Sequence, residues 1–71
     1  MREPTPPLTL REREVVGLVA EGLSNAEIAE QLGVTPGTVS GHLRTIMRKL
    51  GARNRVQVAV WEVRQGLDWP Q

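Results

Sequence analysis

Residues 24–50 contain two predicted helices separated by only two residues, and this spacing constrains the fold more than any other feature of the chain. Gly33 suits the end of the first helix, Thr35 is a preferred N-cap residue, and Pro36 fits the first position of the second helix. Only Val34 and Thr35 remain between them. A connection this short cannot place two helices side by side in antiparallel order, so the sequence predicts a steep crossing of the helix-turn-helix kind.

The second of these helices has two different faces. Its apolar stripe repeats at intervals of four, three and four residues and consists of Val39, Leu43, Ile46 and Leu50. The opposite face carries only small or basic residues, namely Gly37, Ser40, Gly41, Arg44 and Arg48. Because each glycine is unfavourable in a helix by up to about 1 kcal/mol relative to Ala, the pattern favours a face that lies against another surface over a plain solvated face. In a helix-turn-helix motif that surface is double-stranded DNA.

Positive charge is concentrated in the same part of the chain, although the net charge is only +1. Residues 1–30 carry −3, residues 31–61 carry +5 without any acidic residue, and residues 62–71 carry −1. The basic part therefore contains the proposed recognition helix, as binding to DNA phosphates requires.

The composition excludes several other classes of function. The chain has 71 residues, which suffice for one small domain, and it has no Cys and one His, so neither a metal site nor a cofactor is expected. No Tyr or Phe is present to stack on single-stranded nucleic acid. No nucleophile–base pair or phosphate-binding loop is recognisable, so an enzyme is not expected. Without a long apolar run or a signal peptide, we expect a cytoplasmic protein that makes no membrane contact.

Capping boxes set the number of helices. Three such boxes are present, at residues 9–12, 24–27 and 54–57. Together with the Thr35 cap they predict an all-α domain of four helices, at about residues 10–21, 25–32, 36–50 and 55–65. We expect residues 1–7, which contain three prolines, to be a flexible linker or tail, residues 8–67 to form the helix-turn-helix domain, and residues 68–71 to be a C-terminal tail.

The fourth predicted helix is apolar on two sides. One side, expected to pack on the domain core, carries Val56, Ala59, Val60, Val63 and, just past the helix end, Leu67. The other side carries Val58, Trp61 and Gln65, and an exposed Val and Trp together indicate a partner. We therefore predict a dimer interface at Val58, Trp61 and Gln65. In the alternative interpretation, Trp61 folds over the first helix, or the C-terminal tail covers Val58.

Matches to one family pattern run along most of the chain. They are Leu8-Thr9, Arg11-Glu12, Glu14-Val15, Gly22, Ser24-Asn25, Glu27-Ile28-Ala29, Leu32, Thr38-Val39, His42, Ile46, Lys49-Leu50, Arg55 and Ala59-Val60. On these residues, the segment from residue 8 to about residue 65 resembles the LuxR-type, or NarL/FixJ-type, DNA-binding domain of bacterial transcription regulators. The resemblance implies that the third helix enters the major groove and that the fourth pairs two copies into a homodimer. It also implies a longer response regulator of a two-component system, with a receiver or sensor domain before this one and RNA polymerase as a further candidate partner.

The chain departs from that family pattern at two positions of the recognition helix. The family commonly has Lys directly after the Thr-Val pair and a larger or polar residue next, where this chain has Ser40 and Gly41. A basic residue is retained as Arg44, which can pair bidentately with guanine. The predicted base-facing residues are Ser40, Gly41, Arg44 and Arg48, and Arg44 is expected to contribute most.

Polar residues around this face are predicted to contact DNA phosphates, together with the amides at the start of the third helix. They are Asn25, Thr35, Thr38, Lys49 and Arg53. Two of them have structural alternatives, because Thr35 can act only as an N-cap and Arg53 can be a solvated loop charge. For Arg55, the alternative to a phosphate contact is an ion pair with Glu12 or Glu14 inside the domain.

The sequence thus predicts sequence-specific binding of double-stranded DNA by the C-terminal effector domain of a transcription regulator. Two alternatives remain open. A promoter-binding module like region four of a sigma factor has a similar helix-turn-helix, although such modules generally end soon after the recognition helix. A helical protein-docking module would use Val58 and Trp61 and make little contact with DNA.

Overall fold

The computed structural model describes residues 8–67, and their side chains as far as residue 65. This range forms four α-helices: α1 (Leu10–Ala20), α2 (Asn25–Leu32), α3 (Pro36–Leu50) and α4 (Arg55–Leu67). It contains no strand, which confirms the all-α prediction, and no helix in it is both long and apolar enough to cross a membrane. The linker predicted at residues 1–7, the tail predicted at residues 68–71 and the side chain of Leu67 lie outside the described residues.

Local hydrogen bonds start the first two helices where the capping boxes predict. Thr9 Oγ1 accepts from the Glu12 amide at 3.1 Å, and Glu12 Oε1 accepts from the Thr9 amide at 2.8 Å. Ser24 and Glu27 make the same two bonds, at 3.2 and 2.8 Å. Each box satisfies two amides that the first turn of a helix would otherwise leave unpaired.

The third capping box differs from the prediction in one of its two bonds. Asn54 Oδ1 accepts from the Gln57 amide at 2.9 Å, but Gln57 Oε1 accepts from the Arg53 amide, at 2.6 Å, and not from the amide of Asn54. Helix α4 still begins at Arg55, as predicted. It continues to Leu67, past the predicted end.

Glycines end both helices of the helix-turn-helix. Gly33 follows α2 with φ of 71°, and Gly51 follows α3 with φ of 67°, in the left-handed region that favours glycine. Thr35 Oγ1 accepts from the Thr38 amide at 3.2 Å and caps α3. Only Val34 and Thr35 lie between the Gly33 cap and Pro36, so the connection between α2 and α3 has the length and the caps that the sequence predicts.

An apolar core joins the four helices, and α1 packs against each of the other three. The buried core residues are Val15, Val16, Val19, Ile28, Ala29, Val39, Leu43, Ile46 and Val58. The predicted inward stripe of α3 is confirmed, because three of its members lie in the core and Leu50 is half-buried against it. This packing leaves the opposite side of α3 facing outward.

The prediction for α4 is wrong about which of its sides faces inward, except for Ala59, which packs against the core as predicted. Val58 is fully buried in the core and Trp61 packs against it. Three valines are exposed instead, namely Val56, Val60 and Val63, at 70%, 46% and 54%. Both sides are apolar, and burying the indole ring removes more apolar area from water than burying a valine does. A dimer interface through Val58 is therefore excluded, and Trp61 and Gln65, both half-buried, share its inward side.

Candidate nucleic-acid interface

The outward side of α3 is exposed and carries no acidic residue. It consists of Gly37, Ser40, Gly41, Arg44 and Arg48, all of them exposed, and we call it the recognition face. It lies opposite the stripe that holds α3 to the core, so these residues project away from the domain. The four residues predicted to face bases are thus together on one surface.

The two glycines of the recognition face are not required by packing inside the domain. A Cβ atom at Gly41 would have no neighbour within 4 Å, and one at Gly37 would meet only Thr35 Oγ1, at 3.9 Å. Neither glycine has a positive φ. Contacts inside the domain therefore do not explain why glycine, a poor helix former, occupies these two positions. Without side chains there, a partner can approach the helix backbone closely.

Hydroxyl and amide groups surround the start of α3. Thr35 and Thr38 are exposed, and their hydroxyl oxygens lie 3.0 Å apart. The N-cap role of Thr35 is confirmed by its bond from the Thr38 amide, although a hydroxyl can make further hydrogen bonds. The first turn of α3 contains no acidic residue. An anion here would meet the positive end of the helix dipole and would not be repelled by a carboxylate of this turn.

Within residues 8–65, exposed carboxylates are confined to α1, α2 and the turn between them, whereas exposed arginines lie on α1, α3, α4 and the connection after α3. Arg44, Arg48 and Arg53 are exposed on α3 and on the connection that follows it. Exposed acidic residues lie on or next to α1 and α2, namely Glu14, Glu21, Glu27 and Glu30. The surface around the recognition face is therefore positive, as phosphate binding requires. Within residues 8–67, no group of three or more His, Asp or Glu residues could hold a metal ion.

Lys49, predicted to contact phosphate, is held in an ion pair inside the domain. Its Nζ donates to Glu12 Oε1 at 2.9 Å, where the Lys49 side chain is 27% exposed and the Glu12 side chain 6%. This bond is the main reason that the pKa of Glu12 lies below its ordinary value; the bond from the Thr9 amide adds to it, and burial opposes both. Lys49 therefore neutralises a buried carboxylate and ties the end of α3 to the start of α1.

Arg55 pairs with neither Glu12 nor Glu14, so the predicted partners are wrong, although its contacts do lie inside the domain. Its guanidinium donates through Nη1 to Asn25 Oδ1 at 2.5 Å, and through Nη2 to the backbone oxygen of Leu23. Both carboxylates have other basic partners. Asn25, predicted to contact phosphate, thus also acts as an acceptor within the domain.

The family comparison covers nearly all of the described helices. The family model described as "Bacterial regulatory proteins, luxR family" matches residues 6–62. The chain belongs to the LuxR family. This membership confirms the resemblance seen in the sequence and identifies the helix-turn-helix as a DNA-binding domain of transcription regulators.

Several curated proteins similar to this LuxR-family chain are named as regulators. Transcriptional regulatory protein LnrK of Bacillus subtilis (strain 168) is 48% identical over 60 residues, which make up 84% of this chain and 27% of LnrK. The nitrate/nitrite response regulator protein NarL of Escherichia coli (strain K12) is 43% identical over 54 residues, 76% of this chain and 25% of NarL. Transcriptional regulatory protein MctR of Rhizobium johnstonii is 47% identical over 51 residues, 72% of this chain and 24% of MctR. The chain therefore spans about a quarter of the length of these relatives.

Proposed function

We propose that this chain is the effector domain of a longer LuxR-family response regulator, and that it binds double-stranded DNA sequence-specifically through α3. The observation that carries the proposal is the recognition face, an exposed helix side with two arginines, two glycines and no acidic residue. The major groove of DNA admits an α-helix and presents the acceptor atoms of guanine to arginine. A helix with this face fits that groove in shape and in charge.

Base reading is proposed to depend mainly on Arg44. Its guanidinium is exposed on the recognition face and can pair with guanine O6 and N7, which discriminates against other bases by about 1–3 kcal/mol. Ser40, one turn earlier, is a less selective partner because its hydroxyl both donates and accepts. Gly41 places no side chain between helix and groove, so the backbone of α3 can come close to a base edge or a thymine methyl group. Arg48 extends the same face by one further turn.

Phosphate contacts are proposed to surround the base-reading residues. The polar groups available are the hydroxyls of Thr35 and Thr38, the amides at the start of α3, the exposed Arg53 and the half-buried Asn25. Contacts of this kind position a protein on the duplex without reading its sequence. Lys49 is not among them, because its ammonium group is bound to Glu12.

Two copies are proposed to associate through the exposed side of α4. Val56, Val60 and Val63 are spaced four and three residues apart, so they form one apolar stripe, which we call the valine stripe. The same stripe on a second copy, related by a two-fold rotation, would cover it. Such a dimer would match two DNA half-sites about one helical turn apart.

The relatives support a place for this domain in a longer regulator. The chain matches about a quarter of LnrK and of NarL, and NarL is named as a nitrate/nitrite response regulator. We propose that a receiver or sensor domain of a two-component system controls the domain described here. The protein would then act in the cytoplasm, where the chromosome lies, with RNA polymerase as a partner at the promoter.

Selection from a pool of random duplex DNA tests the proposal. The wild-type protein is expected to enrich a motif of two related half-sites, and Arg44→Ala is expected to lose definition at the base that Arg44 reads. Arg13→Ala removes the same charge from an exposed position on α1 and serves as the matched control. The control protein should enrich the wild-type motif.

A second variant tests whether the recognition face meets DNA at all. Gly41→Glu adds bulk and negative charge where the domain itself leaves space, so the protein should fold and lose DNA binding. Equal binding by wild type and Gly41→Glu would contradict the proposal. Absence of enrichment by the wild type at low salt would also contradict it and would favour a protein-docking role for the valine stripe. Enrichment of single half-sites would retain base reading and remove the dimer.

A further inference from the structure

Arg55 joins two helices whose backbones are not in contact. It is the first residue of α4, and its guanidinium reaches Asn25, the first residue of α2, and the backbone oxygen of Leu23 just before that helix. No Cα atom of α2 lies within 8 Å of a Cα atom of α4. The long side chain of Arg55 therefore provides a link that the helix backbones do not.

Arg55 lies at the start of α4, where the dipole of that helix disfavours a positive charge. The positive end of the helix dipole lies in the first turn of α4, and this turn contains no acidic residue to offset it. An arginine at this position is thus explained by its contacts outside α4. Those contacts lie next to the helix-turn-helix.

The chemistry of the pair fixes the orientation of the Asn25 amide. A guanidinium only donates hydrogen bonds, so the atom of Asn25 that faces Arg55 must be the oxygen, and the amide nitrogen must point elsewhere. Among the hydrogen bonds within residues 8–67, Asn25 contributes only this oxygen through its side chain. In the same range, no side-chain nitrogen or oxygen is buried without a partner. The amide nitrogen of Asn25 is therefore not fully buried, and it holds two unused donors.

The other polar side chains at the start of α2 already have partners. The Ser24 hydroxyl accepts from the Glu27 amide, and the Glu27 carboxylate accepts from the Ser24 amide. This carboxylate occupies the helix end that an anion would otherwise use. Two side-chain donors remain in this turn, namely the proton of the Ser24 hydroxyl and the amide nitrogen of Asn25, and only the second is oriented by a contact from another helix.

We infer that Arg55 is a positioning residue for DNA binding: it turns Asn25 so that the amide nitrogen donates to a backbone phosphate beside the groove that α3 enters. The inference rests on the proposed function, because the phosphate is that of the DNA bound by the recognition face. It also connects α4, which carries the valine stripe, to a DNA contact on α2. Arg55 acts through Asn25 and does not itself touch the phosphate.

A double-mutant cycle on DNA affinity tests this role. Asn25→Ala and Arg55→Gln are each expected to weaken binding to the duplex selected by the wild type, by about tenfold or more, since a hydrogen bond to a charged group is involved. In the Asn25→Ala background, Arg55→Gln should cause no further loss and should leave the salt dependence of binding unchanged. Arg53→Gln is the matched control, because Arg53 is exposed and proposed to contact phosphate itself. The loss of affinity caused by Arg53→Gln should add to that caused by Asn25→Ala. It should also reduce the salt slope, which is the slope of log K for DNA binding against log salt concentration, by about one.

A further variant separates positioning from stability. Asn25→Asp keeps an acceptor for Arg55 but removes the amide donors, so its thermal unfolding midpoint should not fall while its DNA affinity should fall by at least about tenfold. Ala26→Asp adds the same charge at the neighbouring exposed residue, and its loss of affinity should be smaller. This comparison remains informative if Arg55→Gln fails to fold.

Three results would overturn the inference. One is wild-type affinity for Asn25→Asp, another is an equal loss for Asn25→Asp and Ala26→Asp, and the third is an additive loss from Arg55→Gln with a reduced salt slope. The last would show that Arg55 contacts phosphate directly. If Arg44→Ala still loses base definition, the proposed function stands and only the positioning role falls. If the wild type binds no duplex, both fall together.

Discussion

Glu12 is a buried carboxylate whose two contacts join the start of α1 to the end of α3. It accepts from the Thr9 amide, which closes the capping box of α1, and from Lys49 Nζ at the end of α3. A buried carboxylate that loses its cation retains the free-energy cost of having left water. The pair is therefore structural, and removing either partner should affect stability before it affects DNA contact.

Lys49→Gln is expected to lower the free energy of unfolding by about 1–3 kcal/mol, because it leaves the Glu12 carboxylate without its cation. The lower part of that range applies if water enters beside the 27% exposed Lys49 side chain. Arg48→Gln is the control: it removes the same charge from the recognition face, so unfolding should change by less than about 0.5 kcal/mol while DNA affinity falls. Thermal unfolding and DNA titration of both variants measure the two effects. Wild-type stability of Lys49→Gln with weakened DNA binding would show that Lys49 contacts phosphate.

The Glu12 pair also predicts how stability depends on pH. The pKa of Glu12 is lowered in the folded state, so its contribution is complete above the ordinary pKa of 4.5 and is lost as the pH falls through the folded-state pKa. As the pH falls below about 4.5, the free energy of unfolding of the wild type should therefore decrease faster than that of Glu12→Gln. The difference in this free energy between the two proteins should shrink. Denaturant unfolding between about pH 3 and 7 measures it. A difference that stays constant over this range, or the same convergence in the exposed control Glu30→Gln, would contradict the assignment.

At the scale of helices, substitutions on the inward side of α4 should lower stability, whereas substitutions on its exposed side should weaken self-association. Val58→Ala removes methyl groups from a fully buried site and is expected to lower the free energy of unfolding by roughly 1.5–3 kcal/mol. Val60→Gln changes a residue that is 46% exposed, and should change stability by less than about 0.5 kcal/mol while weakening self-association. Denaturant unfolding and sedimentation velocity measure the two effects. The prediction fails if Val60→Gln unfolds the domain or if Val58→Ala dissociates the dimer without destabilising the monomer.

The helices could be predicted from the sequence because their ends are set locally. Each capping box needs residues three apart, and the left-handed ends need only Gly33 and Gly51, so neither depends on distant parts of the chain. The side of α4 that faces inward could not be predicted in the same way. Both sides carry apolar residues at helical spacing, and the choice depends on the space that α1 and α3 leave for Trp61.

In the candidate site, too, the features set by local spacing could be predicted from the sequence, and the contacts between distant residues could not. The recognition face follows from the period of α3, because burying one stripe fixes what lies opposite. The contacts of Lys49 and Arg55 span 37 and 30 residues, and no spacing pattern indicates pairs so far apart. In the sequence, Lys49 and Arg55 resemble phosphate ligands or surface charges. In the folded domain they make hydrogen bonds to residues of other helices.

At the scale of the whole molecule, folding keeps apart the charges that the sequence already separates. The exposed acidic residues lie on or beside α1 and α2, where Arg11 and Arg13 offset part of their charge, whereas α3 and the connection after it expose arginines and no acidic residue. The field of the domain is thus directional even though the chain carries a net charge of only +1. Approach to DNA with the recognition face foremost is therefore favoured over approach with the acidic residues of α1 foremost.

This arrangement predicts the salt dependence of binding for one and for two copies. Arg53 is proposed to contact phosphate, and Arg44 and Arg48 bring two further positive charges into the groove between the phosphates, so one copy should displace about three counterions and give a slope of about −2 to −3 for log K against log salt. A dimer joined through the valine stripe should give about twice that slope on a duplex with two half-sites, because both recognition faces bind together.

Val60→Gln, which leaves every charge in place, should make binding to the paired site weaker and less cooperative, with the slope of each binding step near that of a single copy. Fluorescence anisotropy at several salt concentrations, on duplexes with one and with two half-sites, measures these slopes. Equal slopes for wild type on both duplexes would mean that a single copy binds, and the valine stripe would then have no role in DNA recognition.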